Sequence, residues 1–383
     1  MSRARRGAVA GCALGFATGW NIGNLGGVVS ELAGAYGVGL ATVGLFTSAL
    51  FLTHMGLQIP GGRITDRFGA RRAGALGIAC IAGGDVVALA AAEPAVAIAG
   101  RMVTGVGTAI SFIAGSELVR GSGGSAFAQG IFGGVGLGAG GAALALVPQL
   151  EPELGWRAPY WSSLGLALAA ALLLATAPRV APRGVARRAG GGGILRDGRL
   201  RPLATLYSAS FGLSVVLSNW TDEFLSRHGT LGDDGVALVA GLMLLAGIVT
   251  RPLGGWILRE RPHAIRVAVA VSLLAGALGT VALVAGGPAW AVVLGGALVG
   301  IAAGIPFSPS FTGAALARAD APAAAVGFVN MAANLVILLG TPVVGLTFSL
   351  AGEGRIGLAA IALLWVAALA ALPSAAALGA ARR

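Results

Sequence analysis

The chain is 383 residues long, 56% hydrophobic and 11% charged, with a mean hydropathy of +0.85. A soluble domain carries about 25% charged residues, so a water-soluble protein of this size is excluded and the solvent is lipid. The net charge of +11 rests on arginine alone, with no lysine, which rules out a Walker-type ATPase. The arginines are dispersed through short loops, which argues against a nucleic-acid surface.

A spanning helix takes about 20 apolar residues. Apolar segments fall at 8–33, 41–62, 74–92, 95–118, 126–149 and 158–177. A polar stretch, 178–201, follows, and then come 202–225, 236–258, 265–285, 289–312, 324–350 and 356–378. Only Glu93-Pro94 and Gly286-Gly287-Pro288 separate two of the pairs. Ahead of the first segment stand Arg3, Arg5 and Arg6, and Val9-Ala10-Gly11-Cys12 resembles a lipoprotein cleavage box. A signal peptide needs an apolar region of about 7–15 residues before the cut. Here the box follows Arg6 too closely, so a retained first helix is expected. Cys12 and Cys80 lie inside apolar segments and support neither a disulfide framework nor a metal site.

The expected fold is an all-α polytopic membrane protein with twelve transmembrane helices in two pseudo-symmetric six-helix bundles. They occupy 1–177 and 202–383, joined by a basic linker, 178–201, that carries Gly190 to Gly193 and reads as a flexible tether. Twelve spans put both termini on one side. Only Arg157, Arg227 and Arg355 fall on the other side, and only Arg101 and Arg251 lie inside spans. All remaining arginines share the side of the termini, which predicts a cell-membrane protein with termini and linker cytoplasmic. The halves read as repeats: Gly61-Gly62-Arg63-Ile64 returns as Gly254-Gly255-Trp256-Ile257, and Gly105 and Ile110 pair with Gly300 and Ile305. Duplicated halves are the architecture of many secondary transporters.

Between the second and third segments, residues 61–72 read as a charged cytoplasmic hairpin with a gating role. Gly62 and Gly69 permit tight turning and close helix approach. Asp66 could pair with Arg67 or cap the positive N-terminus of a neighbouring helix. Gly62, Asp66, Arg67, Gly69, Arg71 and Arg72 together match a Gly-x-x-x-Asp-Arg-x-Gly-x-Arg-Arg pattern, through which the chain resembles the major facilitator superfamily. Arg101-Met102-Val103-Thr104-Gly105-Val106-Gly107 is similar to that family's helix 4 motif, and Gly155-Trp156-Arg157 before the sixth segment is also familial. The resemblance implies a twelve-helix secondary transporter. It also implies that the eleventh helix, starting near Ala323, neighbours Asp66, which would latch the halves on the cytoplasmic side. Arg259 stands at the equivalent place in the second half, so the latch would exist once. The family's helix 5 antiporter motif is half present: the run 133–141 supplies glycines, but the nearest proline is Pro148.

Charges inside a membrane default to functional readings. Arg251 lies two-thirds of the way into the eighth segment, in Thr250-Arg251-Pro252, and its counterpart in the first half is Gln58. Resemblance to the nitrate/cyanate porters and monocarboxylate carriers implies an anion-binding arginine there. The other reading is an arginine snorkelling to the interface. His54, Gln58, Ser308, Asn330 and Asn334 share the depth of Arg251, and Trp20 and Asn21 lie mid-way along the first segment; all are candidate solute ligands. Asp85 and Arg101 sit at similar depth in adjacent segments, as an ion pair or a coupling site. Asp222, Glu223 and Glu31 are expected to face solvent. Gly136-x-Gly138-x-x-Gly141 spells a dinucleotide fingerprint but follows no strand. With Gly11, Gly15, Gly19, Gly23 and Gly27 it reads as small-residue helix packing.

Nothing resembles a nucleophile–base constellation, so no enzyme, cofactor or metal is expected. The reading is a monomeric secondary transporter in the bilayer, moving a small polar solute, an organic or inorganic anion, with a proton or other coupling ion. Proton-coupled efflux of lipophilic compounds is the alternative within transport. A transport-fold membrane receptor is the alternative of another class.

Overall fold

The computed structural model describes residues 2–182, 191–228 and 231–380, apart from the side chains of 191, 192, 233, 234, 237 and 244. Each of the twelve apolar segments is helical, and the described residues contain no strand. The first half holds α1 (Arg3–Gly23), α2 (Leu40–Gly56 continuing as Gln58–Phe68), α3 (Ala70–Leu89), α4 (Pro94–Gly121), α5 (Ala126–Leu154) and α6 (Ala158–Ala175). In the second half are α7 (Arg201–Tyr207 continuing as Leu213–His228), α8 (Asp233–Glu260), α9 (Ile265–Ala285), α10 (Ala289–Gly304 continuing as Phe307–Ala317), α11 (Pro322–Leu346) and α12 (Arg355–Ala367).

Among the described residues, seven stretches are long and apolar enough to cross a membrane, or eight when the bent pair in α2 counts as one. One of them, Ala126–Ala175, has 50 residues. At 1.5 Å per residue it would run about 75 Å, far beyond a hydrocarbon core of about 30 Å. The 3₁₀ turn Gly155–Arg157 divides it into α5 and α6. Of the remaining segments, the Ser208–Gly212 π-turn interrupts α7, and α12 is short.

Two compact units divide the chain. One comprises Met1–Ala128, Val135–Gly190 and Asp320–Gly327, and the other Gln129–Gly134, Gly191–Ala319 and Phe328–Arg383. In the first unit, α1 lies directly on α5. A Cβ on Gly19 would strike the Gly136 carbonyl oxygen, and one on Gly23 would strike that of Gly140. The four-residue glycine spacing is therefore a contact stripe, because lipid offers helices no hydrophobic drive and van der Waals packing of small residues must hold them. In the same unit α3 meets α4 through Gly84 and Gly100, each backbone lying against the other's carbonyl.

The charged stretch after the second segment differs from a simple loop. A bend of 50° at Leu57 breaks α2, because Pro60 has no N–H to bond back to Gly56. The chain then stays helical through Arg63, Asp66 and Arg67 to Phe68, and the turn is the single residue Gly69, at φ 86°. Positive φ suits glycine. Charge marks where the chain leaves lipid, but arginine, threonine and aspartate all tolerate helix, so the helix outlasts the apolar run.

Of the linker, 183–190 lie outside the described residues, including Arg183, Arg187, Arg188 and Gly190, as do Arg382 and Arg383. Its remaining part is anchored: Asp197 accepts two bonds from the Arg199 guanidinium at 3.1 and 2.8 Å and one from Arg318 Nη1 at 3.4 Å. Those arginines, Arg199 first, hold the Asp197 carboxyl down at about 2.

Gly19→Val should lower the melting temperature of purified protein sharply, since the backbones of α1 and α5 must separate, and overpacking costs about 1–3 kcal/mol or more. Gly165→Val, whose Cβ would meet nothing within 4 Å, should leave it unchanged. Equal melting of the two variants would contradict the contact stripe.

Candidate functional site

Arg251 is 3% exposed, so its head group is buried rather than snorkelling. Its Nη1 donates to the Gly133 carbonyl at 2.7 Å. The rings of Phe307 and Phe211 lie over the guanidinium, with centroids 4.7 and 5.0 Å from Cζ. Nε and Nη2 are buried without a partner. These two nitrogens share one edge of the planar group, the edge that grips a carboxylate with two parallel N–H bonds.

The surrounding helices explain this pose. Gly133 lacks the Cβ that would strike the Phe307 ring, and Gly130 lacks the one that would strike the Arg251 carbonyl. Part of the α5 glycine run therefore serves as the carbonyl platform for Arg251. The π-turn in α7 carries Phe211, which stacks on Tyr207 at 5.4 Å and 15°. Tyr207 in turn packs edge-on against Phe307. Ser308 Oγ donates to the Arg251 carbonyl at 3.4 Å. Phe211, Phe307, Tyr207 and Gly133 escape sequence reasoning, because aromatic and small residues in an apolar helix look the same facing lipid or facing a cation.

A second cluster occupies the first unit. Asp85 and Arg101 are both fully buried, yet they form no ion pair. Arg101 Nη2 donates to the Asn21 carbonyl at 2.8 Å and Nη1 to Asn24 Oδ1 at 3.3 Å. Asp85 Oδ2 accepts from Ser163 Oγ at 2.5 Å, and Asn21 Nδ2 donates to Ser163 Oγ at 2.8 Å. In place of an ion pair, one of the two readings of these residues, the structure has a bridge through α1 and α6. Oδ1 of Asp85 and Nε of Arg101 make no hydrogen bond, although the Thr104 hydroxyl lies near the carboxylate. Trp20 points the same way, its Nε1 bonding Ser162 Oγ at 3.1 Å.

A third group is His54, Gln58 and Thr108, all buried. His54 lies 3.0 Å from Thr108 Oγ1 through Nδ1 and 2.8 Å from Gln58 Nε2 through Nε2. Thr108 donates its own proton to the Gly105 carbonyl. With Gln58 Nε2 donating, His54 Nε2 accepts and its Nδ1 donates to Thr108 Oγ1. The Gln58 Oε1 atom has no partner. Asn330 and Asn334 form a separate local pair, the Asn334 amide bonding the Asn330 carbonyl at 2.9 Å.

The motif residues divide their work. Asp66 Oδ1 accepts the backbone N–H of Ala323 at 3.1 Å and Oδ2 that of Ala324 at 3.0 Å. One carboxylate thus caps the first turn of α11, where unpaired N–H groups and the helix dipole favour negative charge. Gly62 makes room for it: a Cβ there would lie 2.6 Å from the Ala323 carbonyl oxygen. Arg71 caps the opposite kind of terminus, donating to the carbonyls of Ala175 at 2.7 Å and Ala177 at 3.4 Å after α6. Arg67 lies over the Phe68 ring, and Arg72 is exposed.

A family model described as Major Facilitator Superfamily matches residues 11–341. The chain belongs to the major facilitator superfamily. Solved structures of that fold overlay most of it. A variant of the E. coli fucose:proton symporter FucP is 16% identical, with a TM-score of 0.75 over 95% of this chain and 97% of that one. The human organic anion transporter MFSD10 is 18% identical, with a TM-score of 0.75 over 97% and 100%. The proton:xylose symporter XylE is 13% identical, with a TM-score of 0.75 over 96% and 94%. No curated protein matches the sequence. As a superfamily member the protein is a multi-pass membrane transporter rather than an enzyme.

Asp66→Asn keeps the shape of the α11 cap but turns one of its two acceptors into a donor. Loss of a cap costs about 1 kcal/mol, so amide hydrogen exchange at Ala323 and Ala324 should quicken about fivefold while membrane insertion is unchanged. Unaltered exchange would remove the cap as a determinant of that helix start.

Proposed function

We propose that this transporter moves a small planar anion, a carboxylate or an inorganic anion of similar shape, by alternating access of its two six-helix halves. The reading rests on the unpartnered Nε–Nη2 edge of Arg251. Burying an ion costs several kcal/mol even after relaxation. Two ring contacts offset about 0.5–2 kcal/mol each, and one bond to a carbonyl about 1.5–3 kcal/mol. Two nitrogens still lack acceptors, and an anion arriving in the guanidinium plane would satisfy both. One structural neighbour, MFSD10, is an organic anion transporter, which agrees with this cargo class.

The buried Asp85 carboxylate, with one oxygen unpartnered and the other on Ser163, is the proposed proton site. Two neighbours, FucP and XylE, are proton symporters, which agrees with coupling of this kind. In this reading the Asp66 cap on α11 breaks and re-forms during the cycle, and both termini and the linker lie in the cytoplasm.

Uptake into proteoliposomes tests the cargo. Arg251→Gln should lower kcat/KM for a small carboxylate at least about 100-fold, since leaving a buried charge unpaired costs about 3–5 kcal/mol. Arg251→Lys should rescue little, because a point charge cannot bind two oxygens in one plane. Unchanged carboxylate uptake in Arg251→Gln, with efflux of lipophilic compounds retained, would favour the drug-efflux reading instead. Absence of any solute flux in the wild type would favour a receptor.

Asp85→Asn should abolish solute-driven proton movement, followed with a pH dye inside the vesicles, while solute exchange across the membrane persists. Proton movement at the wild-type rate would move the coupling site elsewhere.

A further inference from the structure

Outside the sites above, the second unit carries a trough of about 650 Å³ walled by α7, α11 and α12. That is within the range of about 300–1,000 Å³ typical of small-ligand sites. Its walls are apolar, with Ala332, Leu335 and Leu364 among them. Leu335 and Leu364 are 42% and 52% exposed, so this wall faces the surroundings of the protein, which for an apolar helix surface means acyl chains.

One polar stripe crosses the trough. Arg201, Thr205 and Ser208 all line it, and their spacing of four and then three residues sets them on one face of α7. From Arg201 to Ser208 the helix rises about 10 Å, comparable with a headgroup layer of about 5–8 Å on each side of the core. Arg201 is exposed and, among the described residues, has no ion pair or hydrogen bond. The first unit offers a contrast. A trough of about 550 Å³ there also has an arginine among its lining residues, but that residue is Arg71, whose guanidinium already bonds the carbonyls of Ala175 and Ala177. Of these two troughs, the one on α7 pairs an apolar groove with an uncommitted guanidinium.

We propose that the trough between α7, α11 and α12 binds one anionic phospholipid, with its phosphate on Arg201, its glycerol region beside Thr205 and Ser208, and an acyl chain along the apolar wall. A basic group at the membrane surface attracts anionic lipid with about 1 kcal/mol, or about fivefold in affinity. The attraction alone would make any surface arginine a weak site; the groove beside it makes this one able to retain a lipid.

The test uses the full chain, purified in detergent and offered phosphatidylglycerol and phosphatidylcholine of identical acyl chains. The lipid retained after washing is read by native mass spectrometry. Wild type and Arg266→Gln, which removes an exposed arginine outside the trough, should retain phosphatidylglycerol about fivefold over phosphatidylcholine. Arg201→Gln should bring the ratio to about one. A wild-type ratio of one, or a preference that survives Arg201→Gln, would overturn the proposal. So would displacement of the retained lipid by glycerol phosphate, because the site would then hold a free anion rather than a lipid. Arg201 is exposed, so its replacement leaves the fold intact, and the readout is independent of the cargo bound at Arg251.

Discussion

A buried guanidinium in a lipid-solvated bundle must find its acceptors in the protein, and here neither intramembrane arginine finds a carboxylate. Arg251 rests on the carbonyl of Gly133, and Arg101 on the carbonyl of Asn21. The Gly133 carbonyl lies mid-helix, so Arg251 works with a second lone pair on it. Asn21 instead lies in the last turn of α1, where a carbonyl has no partner within its own helix. In both cases a neighbouring helix brings the oxygen close. Such approach depends on small residues. Gly130 and Gly133 open α5 toward α8 and Phe307, just as Gly19 and Gly23 let α1 onto α5. Glycine content, helix contact and buried charge are therefore one constraint seen from three sides.

The two arginines differ in what that support leaves over. Arg101 keeps one unpartnered nitrogen and sits within a network of Asn21, Asn24 and Ser163 that also reaches Asp85. Arg251 keeps two unpartnered nitrogens on a single edge, and the groups around it are aromatic faces rather than further acceptors. Aromatic faces hold a cation in place without satisfying its N–H groups. Both arginines are held in position, but Arg251 retains a pair of open donors, and the proposed solute site rests on that pair.

The Asp66 cap applies the same logic at a helix end. One carboxylate takes two backbone N–H groups more than 250 residues away in sequence. Arg71 does the reverse job on the carbonyls that close α6. A run of charges in a loop would ordinarily be read as surface solvation. Here two of its members bond the open ends of helices, where dipole and unpaired backbone groups give a full charge its best partner.

Lipid as solvent, helix as the secondary structure of the apolar runs and a charged break near residue 62 can all be read from composition and the spacing of those runs, since these follow from local length and polarity. The pattern Gly62, Asp66, Arg67, Gly69, Arg71 and Arg72 carries the family as well. What the linear chain leaves open is which polar groups meet. Depth along a helix puts Asp85 and Arg101 at one level, yet azimuth about each helix axis decides that Asn21 and Ser163 stand between them. Depth also sets His54, Gln58, Ser308, Asn330 and Asn334 beside Arg251 as equals. Packing gives the Arg251 carbonyl a bond from Ser308 and recruits to its guanidinium Phe211, Phe307 and the Gly133 carbonyl, which no residue pattern marks as polar. Order and depth of groups along each helix are properties of the linear chain; only helix rotation and close backbone approach, set by the packed helices, determine their neighbours.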